Sequence, residues 1–171
     1  KRQDNIRVKA VVNGREIEYV TSGGRVLEEY ETFSIQGAEP SRRLVARYMY
    51  GQGLDEVIAM ERDLNQDGEF DESELFYYMR DANGNITGLT NKAGEIVEQY
   101  EYGPYGSVKV LDKEGDIVYD KETGLPLKES QYGNPYLFQG RRYDWWTGLY
   151  YFRNRYYDPE TGRFITRDPV G

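Results

Sequence analysis

No cysteine and no histidine occur in the 171 residues. The first absence excludes a disulfide framework, a thiol nucleophile and zinc sites built on thiolates. The second excludes Ser-His-Asp and Cys-His catalytic devices. No run of 18 apolar residues exists, so the sequence contains no membrane span. No signal peptide is recognisable, although one preceding Lys1 would not be seen. Basic residues are in the minority, 22 Lys and Arg against 30 Asp and Glu, and the net charge of -8 argues against a broad nucleic-acid surface. What the chain has is 17 Tyr and 19 Gly, a mixture suited to aromatic strands joined by tight turns. The length fits one domain with a real core.

Short alternating apolar runs recur about every ten residues, separated by turn dipeptides. Ile6, Val8, Ala10 and Val12 share one face of an extended segment, Asn13-Gly14 turns the chain, and Ile17 and Tyr19 begin the return. Gly23-Gly24 precedes a run from Val26 to Phe33, and residues 43–50 read as a further strand. Asn83-Gly84, Ala93-Gly94 and Lys113-Glu114-Gly115 mark later turns, the last as the tip between strands at Val108–Leu111 and Ile117–Tyr119, with Glu122 to Pro126 another. The expected fold is all-β: an antiparallel, twisted strip of roughly ten to fourteen short strands with little helix. Residues 55–62, DEVIAMER, also suit a helix, but the aromatic LFYYM that follows favours a long hairpin.

The tip of that hairpin is DLNQDGEFDESE, residues 63–74. It matches the calcium-loop pattern D-x-[DN]-x-[DN]-G-x5-E at every position. Asp63, Asn65, Asp67, Asp71 and Glu74 supply side-chain oxygens, Glu69 a backbone carbonyl, and Gly68 the sharp turn. Ca²⁺ takes six to eight oxygens, and alternate residues of a tight loop point inward. Carboxylates packed this closely repel one another unless a cation neutralises them. The expected cofactor is therefore one Ca²⁺; the bland alternative is an acidic, solvated turn.

Segments of similar pattern recur: Tyr78-x-x-Asp81-x-x-Gly84, Tyr102-x-x-Tyr105-Gly106, and Arg155 to Phe164. Repetition at about 20 residues implies units that bury their faces against neighbours. From Asn134, NPYLFQGRRYDWWTGLYYFRNRYYDPETGRFITRDPVG resembles the RHS repeat-associated core motif of RHS/YD-repeat proteins. Upstream, YYMRDANGNITGLTNKAGEIVEQYEYGPYGSV is similar to the YD repeats that precede that core, and NGREIEYVTSGGRVLEEYE is a weaker match. The resemblance divides the chain into repeats over residues 1–133 and core motif over 134–171. It implies a β-strip that spirals into a hollow shell, closed at one end by the core motif, secreted or displayed at the cell surface, and enclosing a C-terminal toxin or other cargo. It departs at Gly103, where many repeats carry Asp, and in the acidic insertion. Shells of the family are several times longer than 171 residues, so the expected role is a terminal, non-enzymatic section of one. The abrupt beginning at Lys1 and the mid-pattern ending at Gly171 read as a fragment. Such a fragment is expected to continue into the rest of a longer chain, or to pair with copies of itself through strand edges.

Three further features invite functional readings. Tyr143, Trp145, Trp146, Tyr150, Tyr151, Phe152, Tyr156 and Tyr157 crowd one stretch. Cross-strand packing explains them; a sugar-stacking platform, and hence a glycan-binding adhesin, is the alternative. Arg141, Arg142, Arg153, Arg155, Arg163 and Arg167 lie among Asp144, Asp158, Glu160 and Asp168, which suggests ion pairs and cation–π contacts. Finally, the resemblance implies self-cleavage by paired aspartates, of which Asp168-Pro169-Val170-Gly171 matches only the first half. One carboxylate cannot share a proton with itself, so no catalytic residue is assigned.

Overall fold

The structure, a computed structural model, describes residues 9–12, 15–33, 39–53 and 55–167. Ile6, Val8, the Asn13-Gly14 turn and Asp168–Gly171 lie outside the described residues. Thirteen strands and no α-helix are present among them. Nine strands form one sheet in sequence order: β1 (Lys9–Val12), β2 (Arg15–Ser22), β3 (Arg25–Phe33), β4 (Ser41–Tyr50), β5 (Val57–Arg62), β6 (Leu75–Arg80), β7 (Ile86–Thr90), β8 (Ile96–Tyr102) and β9 (Val108–Leu111). Every neighbouring pair is antiparallel. A second sheet of four strands follows: β10 (Arg142–Asp144), β11 (Leu149–Phe152), β12 (Arg155–Asp158) and β13 (Arg163–Phe164). Residues 55–62 are not helical. A bulge near the start of β5, where its register with β4 shifts, lets Val57 and Met60 both turn inside, and β5 pairs with β6 to make the long hairpin. The strand expected at Ile117–Tyr119 is reduced to isolated bridges, Leu111 to Ile117 and Tyr119 to Pro126.

Register separates the two faces of the large sheet. One face carries Tyr19, Glu29, Ala46 and Arg62 in a row, then Tyr48, Met60 and Phe76, then Leu89 opposite Glu98, and Tyr100 opposite Val110. The other carries Glu28, Arg47 and Glu61, and beside them Met49, Ala59, Tyr77 and Thr90. A period of two turns one alternating sequence into one wet and one dry face. The dry face is covered by the segment that follows the ninth strand. Tyr136, Leu137 and Tyr150 join Tyr48, Met60, Phe76, Ile86 and Leu89 in one core cluster. Tyr136 packs edge-on to Tyr48 at 5.1 Å, and Tyr132 to Phe76 at 4.9 Å. Backbone pairing supports the contact: Ile86 N–H donates to the Leu137 carbonyl at 3.1 Å.

Two turn designs recur. In residues 81–85, 91–95 and 112–116 the Asp or Asn at the first position accepts two backbone N–H groups, at the third and fifth positions, through Oδ1. Residues 103–107 keep the backbone pairing, Gly103 N–H to Ser107 carbonyl at 2.8 Å, with Gly103 in place of the Asx. In 120–124, 144–148 and 158–162 the pattern is Asp-x-x-Thr-Gly, with the Asp accepting from the backbone or hydroxyl of the Thr. Side-chain oxygens that mimic a backbone acceptor stabilise such turns. At Gly84 the turn demands φ of 83°, which L side chains resist. Gly140 (φ 64°) is required for a second reason: a Cβ there would lie 2.7 Å from the Asp55 carbonyl, where the covering segment meets the sheet.

Leu137 is fully buried between the sheet and its cover. Leu137→Ala is expected to cost about 2–5 kcal/mol, read by chemical denaturation. Ile165→Ala, at an exposed position, is expected to stay within about 0.5 kcal/mol of the parent.

Candidate functional site

The acidic loop sits at the tip of the β5–β6 hairpin and is organised by its two buried carboxylates. Glu74 ends a short 3-10 turn (Glu72–Glu74), and Asp71 caps that turn. Glu74 Oε1 accepts from the N–H groups of Leu64 at 2.7 Å and Asn65 at 3.1 Å, and Oε2 accepts from Asp71 N–H at 3.4 Å. Asp63 Oδ2 accepts from Gly68 N–H at 3.2 Å and lies 3.4 Å from Arg43 Nε. Its other oxygen, Oδ1, is buried without a hydrogen-bond partner. Asn65 and Asp67 bond each other, Glu69 N–H donates to Asp67 at 2.8 Å, and Asp71 accepts from Ser73. The six expected ligands thus share one loop, but their carboxylates are tied mainly to backbone N–H groups. Among the described residues no three acidic side chains converge as a metal cluster.

A second constellation escaped the sequence reading. Glu29 is buried on the dry face of β3 and accepts from Tyr48 OH at 2.6 Å, Arg62 Nη1 at 3.0 Å and Arg142 Nη2 at 2.5 Å. Arg142 also lies among the rings of Tyr19, Tyr48 and Tyr136, 4.7, 6.0 and 5.8 Å from their centroids. Burial raises the carboxyl pKa of Glu29, but the Arg142 and Arg62 charges and the Tyr48 hydrogen bond outweigh it and bring it down to about 2. Nearby, Asp55 Oδ1 accepts from Arg141 Nη1 at 3.0 Å and Arg153 Nη2 at 2.5 Å. Arg141, Arg142 and Arg153 therefore pair across to the large sheet, not only within their own region. Sequence position could not show this, because Glu29 and Arg142 lie 113 residues apart. The expected cation–π contacts are present, with Arg155 3.8 Å above the Phe164 ring and Arg141 4.9 Å above Phe152.

A buried acid of the opposite kind joins sheet and cover further along. Glu98 accepts from Tyr100 OH, from Ser130 Oγ at 2.5 Å and from Gln131 N–H at 2.7 Å. Burial raises its pKa despite these donors. Of the eight crowded aromatics, Trp146 alone is exposed, and the rest are at least half-buried in ring contacts such as Tyr143 to Tyr150 at 4.6 Å.

These features define a class: an antiparallel hairpin strip whose dry face is closed by its own C-terminal segment. No family model matches the chain. It is 27% identical over 163 residues to the tRNA nuclease WapA of Bacillus subtilis (strain 168), covering 95% of this chain and 6% of WapA. It is 32% identical over 119 residues to toxin subunit YenC1 of Yersinia entomophaga, covering 70% of this chain and 11% of that subunit. The TcdB2-TccC3-Cdc42 crystal structure matches its fold with a TM-score of 0.59 at 20% identity, over 92% of this chain and 6% of that one. The chain belongs to the RHS/YD-repeat proteins, with homology over nearly its whole length. It spans a small part of each relative's own length.

The two buried acids predict opposite pH responses. The lowered pKa of Glu29 stabilises the fold fully above its ordinary 4.5, and this is lost as pH falls toward about 2. Glu29→Gln leaves two guanidinium groups without their carboxylate and is expected to cost about 3–5 kcal/mol at pH 7. That difference should shrink as pH falls from 4.5 toward 2 in denaturant titrations. Glu98 has a raised pKa, so its contribution is present at low pH and lost as pH rises through the folded value. Glu98→Gln is accordingly expected to show no comparable loss at pH 7.

Proposed function

We propose that this chain is a non-enzymatic structural section of a secreted or surface-displayed RHS/YD-repeat shell, whose longer parent encloses a C-terminal toxin or other cargo. The observation that carries the reading is the seating of Tyr136 and Leu137 on the dry face of the strip. A shell needs its concave, apolar face closed where the strip ends, and residues from 134 onward act as that closure. WapA is named a tRNA nuclease and YenC1 a toxin subunit; in this reading such activities reside in parts of the parent other than this section. The self-cleavage alternative rests on Asp168 and a partner beyond Gly171. Exposed Trp146 supports the glycan-binding alternative, though a lone ring makes a small platform. The strip ends, among the described residues, at β1, whose outer edge would pair with a preceding hairpin of the parent or with another copy. Light scattering on the isolated chain is expected to show association. A sharp 20.0 kDa monomer over a wide concentration range would overturn this, and glycan-array retention lost in Trp146→Ala would favour the adhesin.

The same reading gives the hairpin tip a structural Ca²⁺. The residues fit the ion in chemistry: Asp63, Asn65, Asp67, Asp71 and Glu74 offer hard oxygens, Glu69 a carbonyl, and Asp63 Oδ1 is a buried carboxylate oxygen without a partner. Bound calcium would supply positive charge to a loop in which Arg43 is the cation beside Asp63. An ion that binds only the folded state raises stability. Millimolar CaCl₂ is expected to raise the melting temperature relative to EDTA, and Glu74→Gln to abolish the difference. Superimposable melting curves would overturn the assignment.

A further inference from the structure

A cavity of about 60 Å³ lies between the dry face of the strip and the closing segment. Arg141, Arg142 and Arg153 line it from the closing segment, and Asp55, Tyr50 and Arg25 from the strip. At about 10–15 Å³ for each water-sized group, it has room for a handful of them, the size of one small oxyanion.

The ion-pair network that borders it is out of balance; Arg62 and Glu29 belong to that network but not to the cavity lining. Four guanidinium groups, Arg62, Arg141, Arg142 and Arg153, share two carboxylates, Glu29 and Asp55. Each carboxylate is divided between two arginines, which leaves two positive charges in excess in a chain whose net charge is -8. Two guanidinium N–H groups, Arg141 Nε and Arg142 Nη1, are buried without a hydrogen-bond acceptor. Buried charge is tolerated when paired and hydrogen-bonded, and arginine's fixed fork suits tetrahedral oxyanions that offer several acceptors at once. Two of the hydroxyls at this place, those of Tyr50 and Tyr136, are already engaged, Tyr50 OH with the Val26 carbonyl at 2.7 Å and with Tyr136 OH at 2.8 Å. They can therefore contribute little to neutralising the arginines.

We propose that this cavity is a binding site for a small oxyanion of the phosphate or sulfate class, held between the strip and its closing segment by Arg141, Arg142 and Arg153. The bound anion would fasten the closure to the strip, since Arg141, Arg142 and Arg153 line the cavity from one part and Arg25 from the other. Unlike the acidic loop, the site is cationic and lies where the closing segment meets the strip, so the two ions would act independently.

The test is thermal melting of the chain in phosphate, sulfate, acetate and chloride at constant ionic strength. Phosphate and sulfate are expected to raise the melting temperature by about 3 °C or more, with saturation. Exclusion of these salts from protein surfaces also stabilises, but without saturation and equally in variants. Arg141→Gln, checked for folding by circular dichroism, is expected to weaken the apparent affinity about tenfold or more; Arg153→Gln serves if that variant does not fold. Arg163→Gln, at an exposed position outside the cavity, is expected to behave as the parent. A non-saturating response, or one undiminished in the folded variant, overturns the proposal. A response to acetate equal to that of phosphate also overturns it, by assigning the cavity to a polypeptide carboxylate.

Discussion

Burial of one tyrosine-rich sheet face is the constraint on which the rest of this structure depends. A nine-stranded sheet with Tyr48, Met60, Phe76, Leu89 and Tyr100 on one side cannot leave that side in water. A second sheet or a helix layer would usually cover it. Here the cover begins as a mostly irregular run, residues 130–141, that seats side chains at intervals, and continues into the second sheet, which adds Tyr150 to the same core. An irregular cover brings backbone groups with no ladder of their own, and they must be satisfied one by one. Asn134 shows how: fully buried, it accepts from Tyr136 N–H at 2.8 Å and donates to the Tyr136 carbonyl at 2.9 Å, while its own carbonyl takes the Trp145 indole N–H at 2.7 Å.

The same constraint explains why so many tyrosines, not phenylalanines, fill the interface. A tyrosine supplies a ring to the interior and a hydroxyl that can satisfy a polar group there, in several cases a backbone carbonyl. Tyr102 donates to the Ile86 carbonyl at 2.6 Å, Tyr150 to Gly106 at 2.8 Å and Tyr157 to Tyr105 at 2.9 Å. The last two tie the second sheet to the turn at residues 103–107. Charge follows the same geometry: on the strip, Glu29 holds Arg142 and Asp55 holds Arg141 and Arg153 from the closing segment. Burying these pairs is costly unless they are fully hydrogen-bonded, so they add specificity of docking more than net stability.

Much of the strip was legible in the sequence because its signals are local. Period-two alternation and Gly-bearing turns place most strands, and the long hairpin at residues 57–80 follows from the aromatic run at Leu75–Met79. The loop Asp63–Glu74 was legible as a donor pattern, but its internal bonding was not. Which oxygen Glu74 turns toward the Leu64 N–H depends on how the turn closes, not on composition. The Glu29–Arg142 and Asp55–Arg141 pairs were illegible for a different reason. Nothing near Glu29 in the sequence distinguishes it from Glu28 or Glu31, and only the register of β3 puts it on the dry face. The strand expected at Ile117–Tyr119 does not form in full, because Ile117 and Tyr119 alternate correctly but find no continuous partner strand.

The turns carry the argument one step further. A hairpin unit built on an Asx side chain and a left-handed glycine needs little from its neighbours to form its own bend. Its strands, by contrast, need a neighbour on each edge and a cover on the dry face. Local closure with non-local burial is the energetic pattern of a repeat array, in which units are added without redesigning the turn. The departure at Gly103 fits this account. Its N–H still pairs with the Ser107 carbonyl, and the turn lies where Tyr150 and Tyr157 dock from the second sheet. Where the array ends and the closing segment lands, tertiary contacts supply what the missing side-chain acceptor supplied elsewhere. The strip can thus be extended unit by unit toward β1, whereas its other end is committed to closure by the tyrosines and arginines that bind it.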